Sequence, residues 1–436
     1  MNIAAYPKHH SFKPSGFDWI GNVPEHWDVE KLGSMLTAVS EKNRPDLPLL
    51  SITREQGVIE RDVDDQDSNH NFIPDDLSDY KVLREGQFGM NKMKAWQGSY
   101  GVSAYTGIVS PAYFIFDFAR EVDPHFFNIA IRSKLYVSYF GSASDGVRVG
   151  QWDLNQSRMR QIPILLPPLP EQRAIAAFLD GKCATIDEAV RIKEEQIRLL
   201  AERRQILIQE AVTRGLNPNA SMKDSGIDWI GQIPAHWEKS KLKYVLDTWT
   251  GYAFSSAAFC QDGIPILRIG DLIAWGNVST EKAVCLPEKF ARFDEQFGVR
   301  KGDILMAMTG GTIGKVSIYD SDQPALLNQR VCAFRPKGVF PLPLALYWMQ
   351  TKLWDQHILL NSEGGAQPNI SDKATIEMPI VLPPSAEERL EIISFLSSSL
   401  GRIGDAISLK KSQIAALREY KASLINAAVT GKIKVL

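Results

Sequence analysis

Ser15-Gly16-Phe17-Asp18-Trp19-Ile20-Gly21, followed by Pro24, His26 and Trp27, returns at one constant offset as Ser225-Gly226-Ile227-Asp228-Trp229-Ile230-Gly231, followed by Pro234, His236 and Trp237. A second block closes each half. Ile162-Pro163-Ile164-Leu165-Leu166-Pro167-Pro168 comes back as Met378-Pro379-Ile380-Val381-Leu382-Pro383-Pro384. Between these bookends the two halves differ widely. A duplicated frame around two divergent inserts predicts two different readers carried on one scaffold.

Outward from the closing blocks run two proline-free stretches, from Glu171 to about Arg214 and from Glu387 to about Thr430. Pro-Pro stops the preceding strand. Roughly 45 helical residues would span about 65 Å at ~1.5 Å per residue. Ile186, Val190, Lys193, Ile197, Leu200, Arg204, Leu207 and Ala211 alternate steps of four and three, the spacing of a coiled-coil seam. A second constant offset, 217 residues, turns every one of them into Ile403, Ile407, Lys410, Ile414, Leu417, Lys421, Leu424 and Ala428. Matching seams argue for mutual packing over two unrelated amphipathic helices. The seam lysines are expected to snorkel, carrying their stems past the apolar stripe. A short link, Gly215 to Ser221, joins the first helix to the second half. A pseudo-two-fold arrangement would set the helices antiparallel, although the sequence also permits parallel packing.

The expected fold class is α/β (α+β): two mixed α/β units joined by two long helices forming an antiparallel coiled coil, with an internal pseudo-two-fold repeat. The boundaries fall at residues 1–166, 167–215, 216–382 and 383–436. Ser110 to Phe116 is β-rich and corresponds to Asn328 to Phe334, while Arg84-Glu85-Gly86-Gln87-Phe88 corresponds to Arg300-Lys301-Gly302-Asp303-Ile304. The two units are therefore expected to share a fold and differ in their loops.

Those loops carry the chemistry. Met90 to Gly101 interleaves Asn91, Lys92, Lys94 and Gln97 with Trp96 and Tyr100 around glycines. Such groups suit nucleic acid: lysine reaches phosphate, amides read adenine edges, and aromatic rings stack. The second loop, Thr309-Gly310-Gly311-Thr312-Ile313-Gly314-Lys315, looks like a phosphate-binding loop but fails two checks. That motif needs Gly where Thr309 stands and Ser or Thr where Val316 stands. A third pair of segments, Asp145 to Trp152 and Glu363 to Asn369, flanks Arg148 and Gln367 with glycines. His26 and His236 lie at matched positions without a nucleophile or carboxylate constellation, and they read as structural.

Composition bounds the rest. The 436 residues are 44% hydrophobic and 23% charged, with a formal net charge of −2. Binding to nucleic acid by bulk charge is excluded, so positive potential must be local or come from partners. Cys183, Cys260, Cys285 and Cys332 form no C-x-x-C pair, and neither a zinc site nor a disulfide framework is expected. No signal peptide or membrane span is read, which points to a cytoplasmic location. No catalytic motif is found.

The ensemble resembles the specificity subunit of Type I restriction-modification enzymes. The resemblance rests on the two openings, on Pro167-Pro168-Leu169-Pro170-Glu171-Gln172-Arg173 with Ile175, Phe178 and Leu179, on Lys301 to Leu305 with Gly310, Gly314 and Lys315, and on Asn328-Gln329-Arg330. The second helix start departs from it: Ser385-Ala386-Glu387-Glu388-Arg389 carries one extra residue, an expected disturbance, before Ile392, Phe395 and Leu396 restore register. The resemblance implies two target recognition domains, each reading half of a split site in double-stranded DNA. It also implies two methyltransferase subunits carrying S-adenosylmethionine, and motor-nuclease subunits using ATP and magnesium. This chain itself would be non-catalytic, with no cofactor or metal. The helix pair would act as a ruler; grooves on one face of DNA recur about every 34 Å. Candidate contacts are Asn91, Lys92, Lys94, Gln97 and Arg148 in the first domain, and Thr309, Thr312, Lys315, Gln329, Arg330, Gln367 and Asn369 in the second. The competing class is a coiled-coil adaptor joining two proteins without DNA.

Overall fold

The computed structural model describes residues 3–62, 73–146, 152–274, 276–281, 283–365 and 367–436. The chain divides into two compact units, Met1–Glu194 with Lys411–Leu436, and Glu195–Lys410. Each unit therefore takes one end of each long helix.

In the first unit the opening repeat forms a hairpin, Phe12–Pro14 against Asn22–Pro24. Its turn closes through Ser15 N–H to the Gly21 carbonyl at 3.0 Å, and Gly16 and Gly21 take φ of 80° and 73° that favour glycine. The next strand, Asp28–Lys31, pairs antiparallel with Pro163–Leu166. The opening and closing blocks thus lie side by side, which explains why both recur. Inside this frame sits an antiparallel sheet in the order Leu36–Val39, Tyr113–Phe118, Phe88–Asn91, Tyr100–Val102. Alternation puts Phe88, Met90 and Phe116 into a core with Phe127 and Ile131 of helix Pro124–Ile131 and Tyr136 and Phe140 of helix Lys134–Ser142.

The second unit repeats this plan. Met222–Asp224 pairs with Gln232–Pro234, and Glu238–Lys241 with Pro379–Leu382. The sheet runs Leu246–Thr250, Val331–Pro336, Ile304–Ala307, Val316–Ile318. Helices Leu342–Met349 and Lys352–Leu360 cover it, with Trp348 and Trp354 fully buried. The units diverge beyond that sheet. The first has separate two-stranded ribbons, Leu50–Thr53 with Gly57–Glu60 and Lys81–Leu83 with Gly107–Val109. The second has a further four-stranded sheet containing the parallel pair Ile264–Leu267 and Ala325–Leu327.

The long helices are continuous over Leu169–Arg214, 46 residues, and Ala386–Val429, 44 residues. Pro170 fits the first turn because no N–H is needed there. The extra residue before the second helix is Ser385, whose Oγ accepts from Glu387 N–H at 3.2 Å and Glu388 N–H at 3.4 Å. It is absorbed as an N-cap, and the expected disturbance of the helix start does not occur. Packing is antiparallel within each unit. In the first, Ile175, Leu179 and Ile186 bury against Leu424 and Ala428, and Asp187 meets Lys421 while Glu194 meets Arg418. In the second, Ile208, Ala211 and Val212 share a core with Ile392 and Leu396. Burial of each large apolar side chain contributes about 1.5–3 kcal/mol. The seam lysines do more than snorkel. Lys193 Nζ donates to Gln413 Oε1 at 2.8 Å, and Lys421 Nζ reaches both Asp187 oxygens at 2.6 and 2.7 Å. A polar partner faces these two ammonium groups, so their tips are held.

Candidate nucleic-acid interface

In the second unit the strand Ile304–Ala307 enters a tight loop and returns as Val316–Ile318. Ala307 N–H donates to the Lys315 carbonyl at 3.1 Å and Gly314 N–H to the Ala307 carbonyl at 3.0 Å. Gly314 takes φ of 76°, and an added Cβ would come within 3.2 Å of Ile358. Trp354 Nε1 donates to the Gly314 carbonyl at 2.9 Å, anchoring the loop to helix Lys352–Leu360. A strand follows Lys315, where a phosphate-binding loop would begin a helix.

Two distant segments dock on this loop. Met308 N–H donates to the Arg330 carbonyl at 3.0 Å, Gly310 N–H to the Pro368 carbonyl at 2.9 Å, and Ile370 N–H to the Met308 carbonyl at 3.0 Å. Thr309 and Asn369 form an isolated antiparallel bridge. Thr309, Thr312, Lys315, Gln329, Arg330, Gln367 and Asn369 are thereby gathered from three segments at one end of one sheet. Lys315, Gln329, Arg330, Gln367 and Asn369 are exposed. Among the described residues none of these seven side chains has a hydrogen-bond or ion-pair partner.

The first unit builds the same loop with two of its polar groups, Asn91 and Lys92, already committed. Asn91 N–H donates to the Ser99 carbonyl at 3.0 Å, and Leu154 N–H to the Lys92 carbonyl at 3.1 Å, as Ile370 does to Met308. Asn91 is only 8% exposed; its Nδ2 donates to Tyr113 Oη at 3.3 Å and its Oδ1 accepts from Met93 N–H at 3.2 Å. Burial pushes the Tyr113 phenol above its usual range, so it stays neutral. Lys92 Nζ pairs with Asp153 at 3.1 Å. Lys94 is exposed and Gln97 half-buried, both with free side chains among the described residues. Arg148 lies outside the described residues.

Two contributors escaped sequence reading. Trp354 fixes the second loop from 40 residues away. Tyr252, 47% exposed, bridges Asn328 and packs on Phe293 and Phe297 at 5.6 and 5.4 Å. Its neighbour Gly251 was the available signal, because an added Cβ would fall 2.2 Å from the Leu327 carbonyl oxygen.

The matched histidines dock each opening repeat on its helix. His26 Nε2 lies 2.8 Å from Glu171 and His236 Nε2 lies 2.9 Å from Glu388. Each unit also receives the glycine that ends a long helix: Gly215 abuts Trp237, and Gly431 abuts Pro24 and Trp27. These are framework contacts, and they leave the loop clusters as the open polar surface.

The profile described as Type I restriction modification DNA specificity domain matches residues 234–417. The chain is 29% identical over 307 residues to the Type I restriction enzyme MjaVIII specificity subunit of Methanocaldococcus jannaschii, covering 69% of each. It is 23% identical over 308 residues to the Type I restriction enzyme EcoBI specificity subunit of Escherichia coli, covering 68% of this chain and 64% of that one. Its fold matches a solved chain, from work on complex assembly and conformational transition of the type I R-M system, with a TM-score of 0.71. That match has 17% identity and covers 93% of this chain and 98% of the other. In sequence and in fold the chain is thus similar to the specificity subunits of Type I restriction-modification systems. Among the described residues no helix is long and apolar enough to cross a membrane.

Proposed function

We propose that this chain reads a bipartite DNA site, with residues 1–166 and 216–382 each recognising one half and residues 167–215 and 383–436 setting the spacer. The observation that carries this reading is the convergence of unpartnered polar side chains from three segments beside Thr309–Asn369. Buried polar groups normally find partners; exposed ones left free on a loop braced by Trp354 are available to bases and phosphates. With a net charge of −2, lysine and arginine at such loops must supply the local attraction. Replacing a base-reading residue relaxes one position by about 1–3 kcal/mol, whereas replacing a phosphate contact weakens all sequences.

The chain acts in the cytoplasm within a complex. Two methyltransferase subunits hold S-adenosylmethionine and flip the target base, and motor-nuclease subunits use ATP and magnesium. The helix pair docks the methyltransferases; Leu199 and Ile206, one heptad apart on the first helix, are 49% and 55% exposed and suit such a contact. Methylome sequencing of a host carrying the complete operon tests the reading. A split motif with an unread spacer supports it, and an unsplit motif overturns it. Inserting four residues in both long helices should lengthen the spacer and leave both half-sites unchanged.

A further inference from the structure

Glu171, in the first turn of the first long helix, faces two histidines. His26 Nε2 stands 2.8 Å from one carboxylate oxygen and His9 Nε2 stands 3.7 Å from the other. The candidate donor atoms of all three residues lie within 4.8 Å of one another. The His9 side chain is 6% exposed, yet its Nε2 is buried and has no hydrogen-bond partner among the described residues. Such an orphan is unfavourable unless something fills its valence.

We propose that His9, His26 and Glu171 bind one Zn2+ ion. Two imidazole nitrogens and a carboxylate are a common zinc donor set, with water completing the tetrahedron. The His26–Glu171 hydrogen bond gives way to shared coordination, and the ion supplies the partner that His9 Nε2 lacks. Lys434 opposes a cation through its charge near His9, and the anionic carboxylate offsets it. The second unit is an internal control. There Glu388 meets His236 at 2.9 Å, its other oxygen accepts from Trp237 Nε1 at 2.9 Å, and Asn219 stands exposed in the register of His9. Among the described residues that pair has no third donor.

The role follows from the chain. In the second unit the first long helix continues covalently through Gly215 into the opening repeat. In the first unit the corresponding place holds both ends of the described chain, held by Lys434 N–H donating to the Pro7 carbonyl at 2.7 Å. A metal bridging His9 to Glu171 staples the N-terminal segment onto the helix. Sequence spacing hid this site, because Glu171 is 145 residues from His26.

The test uses the untagged full-length chain, stripped with chelator and titrated with Co2+ and then Zn2+. One Co2+ per chain is expected, with a tetrahedral visible spectrum, no thiolate charge-transfer band, and displacement by Zn2+. H9N, which installs the residue of the second unit, should lower affinity by at least the roughly 10–100-fold that even an outer partner of a metal site is worth. H236N should leave it unchanged. Zn2+ should raise the Tm of the parent and of H236N but not of H9N. If H9N fails to fold, the exposed His26→Gln change replaces it. Absence of stoichiometric uptake, thiolate bands, or binding indifferent to H9N and H26Q would overturn the assignment.

Discussion

Trp27 and Trp237 fill the same place in their respective units, and both are fully buried. Their indole N–H groups fare differently. Trp237 Nε1 donates to Glu388 at 2.9 Å, whereas Trp27 Nε1 has no partner among the described residues. The corresponding carboxylate, Glu171, instead faces His26 and His9. One added histidine has reassigned it. Duplicated frames keep shape more faithfully than polar partners, because close packing punishes every change of volume while a typical hydrogen bond contributes only about 0.5–1.5 kcal/mol net.

Truncation of these tryptophans gives the largest expected effect. Trp27→Ala and Trp237→Ala should each destabilise by about 3–5 kcal/mol, the range for large aromatic deletions in cores. The conservative pair separates them. Trp237→Phe leaves a carboxylate oxygen without its donor and should cost about 1.5–3 kcal/mol; Trp27→Phe removes a group already unpaired and should cost less. Urea unfolding of the full-length variants measures both. Equal losses for the two phenylalanine variants would erase the contrast.

The helix-ending glycines come next. Gly215 and Gly431 have φ of 71° and 69°, so alanine at either is strained. The packing differs: a Cβ on Gly431 would fall 2.3 Å from Pro24 Cδ, against 3.1 Å from Trp237 for Gly215. Gly431→Ala should therefore be the worse change, by about 1–3 kcal/mol for the overpacking, read as the difference in unfolding midpoint.

How much of this was legible beforehand varies with the length scale of the cause. The frame was legible because identical residues recur in register, and the helices because a heptad is local. Pairing of Asp28–Lys31 with Pro163–Leu166 was hinted at only by both blocks being kept. Thr309 beside Asn369, or Trp354 under Gly314, depends on tertiary register across many residues. Residue type could nominate Asn91 and Lys92 for DNA. It could not reveal that Tyr113 and Asp153 already occupy them.

That difference between the loops sharpens into a binding measurement. Lys315 is exposed and has no partner among the described residues, while Lys92 is paired with Asp153. In the assembled complex, Lys315→Ala should flatten the salt dependence of DNA affinity by about 0.9 in log–log slope, one phosphate contact. Lys92→Ala should move it less. A larger change for Lys92 would reverse the assignment of which loop is free.

The smallest expected effect is an asymmetry in acid. His357 is buried in the second unit, and at the matching point of its helix pair the first unit carries Tyr139, its ring tilted against Trp19. His357 Nε2 lies 2.9 Å from the Ala374 carbonyl, so it donates there, and Nδ1 faces the Asn361 amide at 3.4 Å as an acceptor. That is the neutral tautomer. Burial lowers the folded pKa below the ordinary 6.5, and the nearby Glu377 charge offsets it only in part. Because the unfolded chain then binds more protons than the folded one, the contribution of His357 is present above the unfolded pKa and is lost as pH falls below about 6.5. His357→Asn should flatten the fall in Tm between about pH 7 and pH 5, at some cost in stability at neutral pH. An unchanged pH slope in this variant would place the acid sensitivity elsewhere and remove the asymmetry between the units.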